Sequence, residues 1–163
     1  MMPLLKTLIF LIIAPGFLAV LVPYWLLSSD WNRSFDIGGL NFFGLLLIAL
    51  GAIALLWCFW DFAAFGKGTP APIDPPKVFV SRGLYRFVRN PMYVAIALIL
   101  TGEALFFESW TLFVLAASVW LIQHLFVLLY EEPALKRKFG AEYEAYLKTV
   151  PRWVPKKPKK FLA

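Results

Sequence analysis

The sequence predicts an all-α polytopic membrane protein with about four transmembrane helices. Hydrophobic residues make up 61% of the 163 residues, and the mean hydropathy is +0.72. Soluble domains are roughly 45–50% apolar, so this excess is typical of a chain whose outer surface faces lipid. The apolar residues also form four runs separated by polar segments. We therefore expect one domain over residues 1–163, with two spans in 1–65 and a loop, a helical hairpin and a final helix in 66–163.

The first predicted span runs from about Leu5 to Leu27, which is long enough to cross a bilayer. Pro15 and Gly16 interrupt it, so we expect a kink or an unwound turn there. A signal peptide is the alternative interpretation. It is disfavoured because the bulky stretch "VPYWLL" stands where a small-residue cleavage site is needed.

The second predicted span runs from about Leu40 to Phe65. Gly44 and Gly51 lie seven residues apart, near one helical face, so a neighbouring helix can approach closely there. Trp57 and Trp60 lie towards its end, which is typical of side chains at a membrane interface.

The third predicted span, Pro91 to Phe107, is short for a full crossing, and the fourth runs from Trp110 to Tyr130. Only two residues separate these runs. The third and fourth helices must therefore form a tight antiparallel hairpin.

Two polar regions complete the chain. Residues 66–90 are rich in Gly and Pro and predict an ordered loop, within which "SRGLYRFVRN" is compatible with a short amphipathic turn. After Tyr130, apolar residues at three- and four-residue intervals predict an amphipathic helix that Pro151 ends. Those residues are Leu135, Phe139, Tyr143, Tyr146 and Leu147. The final "KKPKK" is a basic tail that we expect to contact anionic lipid headgroups.

Positive charge predicts the orientation. With four spans, one face of the membrane carries Lys6, five Lys or Arg residues of the loop and nine that follow Tyr130, whereas the other face carries Arg33 alone. The basic side should be cytoplasmic, with both termini on it. Since topology explains the net charge of +6, we expect no nucleic-acid partner. The single cysteine, Cys58, and the single histidine, His124, stand at no metal-ligand spacing.

Charged residues meet at the predicted cytoplasmic end of the hairpin. Arg86 and Arg89 approach from one side, and Glu131 and Glu132 from the other. They either close the helix ends as salt bridges or line a polar cavity, since adjacent glutamates facing lipid are costly. His124 lies seven residues before Glu131, a spacing that predicts the same helical face; it is a structural hydrogen-bonding group or a proton acceptor.

Two motifs carry a family resemblance. "GLYRFVRNPMYV" and "YEEPALKRKFGAEYEAYLKTVPRWVP" resemble the isoprenylcysteine carboxyl methyltransferases and their bacterial members. "NPMY" and "LLYEEP" are similar to the phosphatidylethanolamine N-methyltransferases. Both families belong to one group of small integral membrane methyltransferases, and the resemblance covers about residues 64–155.

The resemblance implies S-adenosylmethionine as methyl donor and S-adenosylhomocysteine as product. The donor is expected at the cytoplasmic helix ends, capped by the carboxyl-terminal segment. Carried over by position, the cofactor-binding residues are Lys77, Val78, Phe79, Val80, Tyr85, Asn90, Pro91, Met92, Tyr93 and Glu131, with Arg89 and Glu132 added as neighbours. An aromatic slot for adenine is expected from Tyr85, Tyr93, Tyr143 or Trp153. The predicted catalytic residues are His124 and Glu131, as proton acceptors.

Departures from the carboxyl methyltransferase pattern bear on the acceptor. Lys77 and Asn90 stand where those enzymes usually have His, and Val127 stands where the prenylcysteine enzymes place an arginine. We therefore expect a nitrogen or sulfur acceptor on a lipophilic molecule that enters from the bilayer. Isoprenylcysteine-type carboxyl O-methylation is one alternative, and a non-catalytic membrane interaction protein that kept the fold is another. We expect the bacterial inner membrane as the location; the sequence does not determine the oligomeric state.

Overall fold

The computed structural model describes residues 12–66 and 79–157, and this part of the chain is helical with one isolated β-bridge. Helix α1 (Val22–Leu27) continues a π-helix, Ile12–Leu21. Helix α2 (Phe43–Asp61) lies between a 3₁₀ turn, Gly38–Phe42, and a π turn, Phe62–Gly66. The remaining helices are α3 (Pro91–Phe106), α4 (Trp110–Phe126) and α5 (Glu132–Thr149), with a π turn, Val127–Glu131, joining the last two. The predicted all-α class is confirmed for these residues.

Two helices of the described part are long and apolar enough to cross a membrane, Gly38–Phe65 and Trp110–Thr149. The predicted first and third spans correspond to shorter apolar helices, Pro15–Leu27 and Pro91–Phe106. The number of four crossings, and the hairpin as a pair of crossings, therefore stay predictions. Large apolar side chains are exposed along α2 and α4, including Leu50, Ile53, Leu56, Val114, Ile122 and Leu125. Such continuous apolar surface is what a lipid-facing helix needs.

The first helix does not unwind at Pro15. That residue is buried inside the π-helix Ile12–Leu21, which leads directly into α1. Proline has no N–H to donate, and the wider π turn accommodates its ring within a continuous helix. Of the predicted kink or unwound turn, the unwound turn is wrong for this residue, and the kink stays a prediction.

Glycines bring α2 and α3 into close contact, as the spacing of Gly44 and Gly51 predicted. A Cβ atom added at Gly51 would lie 2.7 Å from the carbonyl oxygen of Ala95, closer than real Cβ contacts, and one at Gly44 would meet the backbone of Gly102. The backbones therefore approach to a distance that only glycine permits. Residues of α2, α3 and α4 form the buried core beside this contact: Leu55, Phe59, Ala95, Ile96, Ile99, Leu100, Ala116 and Val119.

The turn between α3 and α4 is fastened to the segment that precedes α2. The N–H of Phe35 donates to the carbonyl of Glu108 at 2.9 Å, and the Ser109 hydroxyl donates to Oδ1 of Asn32 at 2.7 Å. Ser109 is fully buried and also accepts from the N–H of Leu112, which caps α4. This end of the helix pair is thus closed by specific hydrogen bonds as well as by apolar packing.

At the other end, the polar segment 79–90 is docked against α2 and α5. It contains a 3₁₀ turn, Gly83–Arg86, where the sequence predicted a short turn. Arg82 Nε lies 3.6 Å from the buried carboxylate of Asp61, the last residue of α2. The predicted amphipathic helix is α5, whose buried Tyr143 and Tyr146 pack beneath Phe79.

Candidate functional site

A pocket opens where segment 79–90, the start of α3, the end of α4 and α5 come together. Its atom-free space is about 980 Å³ when the open mouth is included. The lining residues are Phe62, Phe79, Val80, Tyr85, Arg89, Asn90, Tyr93, Phe126, Tyr130, Glu131, Ala134, Leu135, Lys138, Phe139, Tyr143 and Tyr146. Seven of the predicted cofactor-binding residues are among them.

Glu131 is the one carboxylate in this lining. It ends the π turn after α4, and the hydroxyl of Tyr93 on α3 donates to its Oε2 at 2.9 Å. No basic side chain of the described residues lies within ion-pair distance of it. A largely buried carboxylate without a cation is costly, so Glu131 is suited to bind a positively charged group.

The neighbouring Glu132 has the opposite environment. Arg89 Nη1 donates to its Oε1 at 2.9 Å, while Arg152 donates through Nε at 2.7 Å to Oε1 and through Nη2 at 3.0 Å to Oε2. These hydrogen bonds raise the pKa of Arg152 above its ordinary value. Glu132 was predicted to bind the cofactor, yet it does not line the pocket. It instead joins two arginines behind the lining.

Arg89 has a free donor beside the pocket. Its Nη1 is bound to Glu132, but its Nε is buried and has no hydrogen-bond acceptor among the described residues. The backbone N–H of Arg89 donates to the carbonyl of Pro151 at 2.9 Å, and this hydrogen bond fixes the backbone of the loop at Arg89. This pocket-lining residue therefore carries a buried donor that no described residue satisfies.

Aromatic rings form one wall of the pocket. Phe79 packs edge-on against Tyr143 and Tyr146, with ring centroids 5.6 and 5.0 Å away. Tyr85 packs edge-on against Phe62 and its carbonyl accepts from the Tyr146 hydroxyl at 2.6 Å. Burial raises the pKa of Tyr85 well above its usual range, so it stays a neutral phenol. Such a wall suits a flat heteroaromatic ring.

Two other predicted cofactor-binding residues of the described part, Pro91 and Met92, do not line the pocket. Pro91 is buried in the first turn of α3, and Met92 packs against the hydrophobic core. Lys77 and Val78 lie outside the described residues, so the predictions for them stay as they were.

His124 lies away from the pocket. Its Nδ1 accepts a hydrogen bond from Trp153 Nε1 at 3.0 Å, and its ring is stacked on Trp120 with centroids 5.2 Å apart. The spacing predicted a face shared with Glu131, but Glu131 lines the pocket and His124 does not, and the π turn Val127–Glu131 follows His124 along the chain. A π turn holds about one residue more than an α turn, which shifts the helical face by roughly 100°.

Sequence reasoning missed Arg152 as a partner of Glu132. The available signal was the pair of adjacent glutamates, which needs basic partners, and the arginine directly after the helix-ending Pro151. Tyr130 and Phe126 were also missed, although their place at the end of α4 puts them beside the pocket.

A family model described as phospholipid methyltransferase matches residues 40–142, more than half of the 163 residues. The match includes α2, α3, α4 and α5 as far as residue 142, so that two pocket-lining residues of α5, Tyr143 and Tyr146, lie beyond it. No curated protein matches the chain.

Proposed function

The chain belongs to the phospholipid methyltransferase family, and on this premise we propose that it transfers a methyl group from S-adenosylmethionine to a nitrogen or sulfur atom of a lipophilic molecule. The family match and the two long apolar helices together indicate an integral membrane protein of a methyltransferase family. The observation that carries the proposal is the pocket in which Glu131 has no basic partner among the described residues.

The residues present fit the proposed donor. Its ammonium and sulfonium are positive, which suits the Glu131 carboxylate. Its carboxylate suits the buried Nε–H of Arg89, which has no acceptor among the described residues. The wall of Phe79, Tyr143 and Tyr146 suits the adenine. Charge, free donor and aromatic surface thus occur in one pocket, in the part of the chain that the structure describes.

When bound, the donor supplies a methyl group already activated by its sulfonium, so the protein's task is positioning and exclusion of water. Phe62, Phe126 and Tyr130 give the pocket an apolar side that keeps water from the acceptor. An amine or thiol acceptor must also lose a proton. Among the lining residues, Glu131 is the group suited to take it, and the Tyr93 hydroxyl holds that carboxylate in place.

The placement of cations favours a neutral acceptor. Arg89 and Arg152 are both bound to Glu132, and Val127 is fully buried where a further cation would be needed. Lys138 is the remaining basic side chain of the described lining, and it is exposed. A buried carboxylate acceptor would therefore lack a close partner, at a cost of several kcal/mol.

We place the pocket on the cytoplasmic face of a bacterial inner membrane, with both termini on that side. The charge bias of the sequence supports this orientation. The donor would then arrive from the cytoplasm and the lipophilic acceptor from the bilayer, along the exposed apolar faces of α2 and α4. Lys156 and Lys157 are exposed and suited to anionic headgroups, while residues 158–163 lie outside the described part.

Two measurements test the proposal. Calorimetry with purified protein in lipid nanodiscs should show S-adenosylhomocysteine binding; absence of binding would favour the non-catalytic alternative. Methyl-labelled donor should then be incubated with a host lipid extract and with lipophilic amines, thiols and prenylated cysteine analogues. A base-stable labelled product is expected, and a base-labile methyl ester as sole product would instead indicate carboxyl O-methylation.

A further inference from the structure

The segment that follows α5 contacts three separate parts of the molecule. Pro151 turns the chain away from the helix, and Arg152 then reaches Glu132 with two hydrogen bonds of 2.7 and 3.0 Å. One residue later, Trp153 donates to Nδ1 of His124 on α4 at 3.0 Å. Lys156 donates its N–H to the carbonyl of Phe87 at 3.0 Å. The segment thus joins α4, the start of α5 and the loop before α3.

The same segment fixes two of the loop residues that line the pocket, Arg89 and Asn90. The N–H of Arg89 donates to the carbonyl of Pro151 at 2.9 Å, and Nδ2 of Asn90 donates to the carbonyl of Arg152 at 3.1 Å. Arg152 and Arg89 also share Oε1 of Glu132. The position of the Arg89 side chain in the pocket therefore depends on a segment that does not line the pocket itself.

From these contacts we infer that Arg152 and Trp153 are positioning residues of the donor site, acting through Glu132 and His124 to hold Arg89 and Asn90 against the pocket. We call residues 150–156, which make these contacts, the clasp. The inference rests on the proposed function, because it assigns the clasp to donor binding. It also gives His124 a defined role as the acceptor that anchors Trp153, outside the chemistry of methyl transfer.

The charge and shape of the Arg152 and Trp153 side chains suit them to these contacts. The planar guanidinium of Arg152 binds both oxygens of Glu132, which a lysine cannot do. Arg89 therefore makes one hydrogen bond to the Glu132 carboxylate, through Nη1, and its Nε has no acceptor among the described residues. Trp153 adds ring contacts with His124 and Trp120 to its hydrogen bond, with centroids 5.6 and 6.0 Å away.

The test compares Arg152→Gln, Arg152→Lys and Trp153→Phe with Arg137→Gln as a matched control. Arg137 is exposed on α5 and has no ion pair among the described residues. S-adenosylhomocysteine affinity, measured by calorimetry in nanodiscs, should fall about tenfold in Arg152→Gln and less in Arg152→Lys, which restores the charge. Trp153→Phe keeps a ring but loses the N–H, and a loss of about threefold is expected. Arg137→Gln should bind like the wild type.

Hydrogen exchange gives a second readout that needs no ligand. The N–H groups of Arg89 and Lys156 are bonded across the clasp, so peptides with these residues should exchange faster in Arg152→Gln and Trp153→Phe than in Arg137→Gln. Wild-type affinity in Arg152→Gln, in a protein that does bind S-adenosylhomocysteine, overturns the inference alone. Absence of binding by the wild type overturns the proposed function, and with it the role of the clasp in donor binding.

Discussion

Replacing Glu131 by Gln tests the site most directly, because the change removes one charge and little else. Glutamine has nearly the same shape and keeps an oxygen that can accept from Tyr93, whose hydroxyl is 2.9 Å from the carboxylate. What is lost is the charge-assisted interaction with a cationic ligand group, about 1.5–3 kcal/mol. Donor affinity should therefore fall roughly tenfold to hundredfold.

Folding should respond differently from binding. Glu131 has no cation among the described residues, so neutralising it relieves the cost of a largely buried charge. We expect an unchanged or slightly higher melting temperature in the absence of ligand. The assay pairs thermal unfolding with calorimetric titration of S-adenosylmethionine, which carries both the ammonium and the sulfonium, and Glu144→Gln, an exposed glutamate on α5, is the control. Wild-type affinity in Glu131→Gln would refute the reasoning and leave Glu131 as a structural partner of Tyr93.

Three further predictions follow from other parts of the molecule. Glu132→Gln should lower the free energy of unfolding by about 2–3 kcal/mol, because its two arginine partners lose a carboxylate; equal melting temperatures for this variant and the wild type would contradict the ion network. Gly51→Val should prevent the α2–α3 contact and abolish folded protein in detergent, whereas Gly39→Val, where a Cβ meets nothing within 4 Å, should be tolerated. Single cysteines in place of Arg33 and Lys157 should react with an impermeant thiol reagent from opposite sides of the membrane, and labelling from the same side would exclude the proposed topology.

Patterns that depend on near neighbours in the sequence were predictable. The glycine spacing of α2 indicated a close helix contact, and the periodicity after Tyr130 indicated an amphipathic helix. The two motifs predicted the family that the comparison shows. The cost of adjacent glutamates facing lipid predicted that at least one of Glu131 and Glu132 faces a polar cavity. The family resemblance selected Glu131, and this residue lines the pocket.

Features that depend on hydrogen-bond register or on chain reversal were not predictable. An α and a π turn differ by one residue, and nothing in the amino-acid sequence of residues 127–131 specifies which forms, so the helical spacing between His124 and Glu131 could not be assigned from sequence. The pairing of Arg152 with Glu132 joins residues 20 positions apart across the chain reversal after α5. Sequence spacing identifies neighbours along a helix but not partners across such a reversal.

The hydrogen-bonded turn between α3 and α4 has a mechanical consequence for the distant pocket. Because Ser109 and Glu108 fasten that turn to the segment before α2, a tilt of α3 relative to α4 would start from this end and be largest at the opposite end. With 16 residues, α3 is a lever of about 24 Å. A tilt of about 5° shifts its pocket end by roughly 2 Å, which separates Tyr93 from Glu131 beyond hydrogen-bond distance. Small angular changes, such as those that a thinner or thicker bilayer imposes, would therefore be large enough to make or break the hydrogen bond between Tyr93 and Glu131.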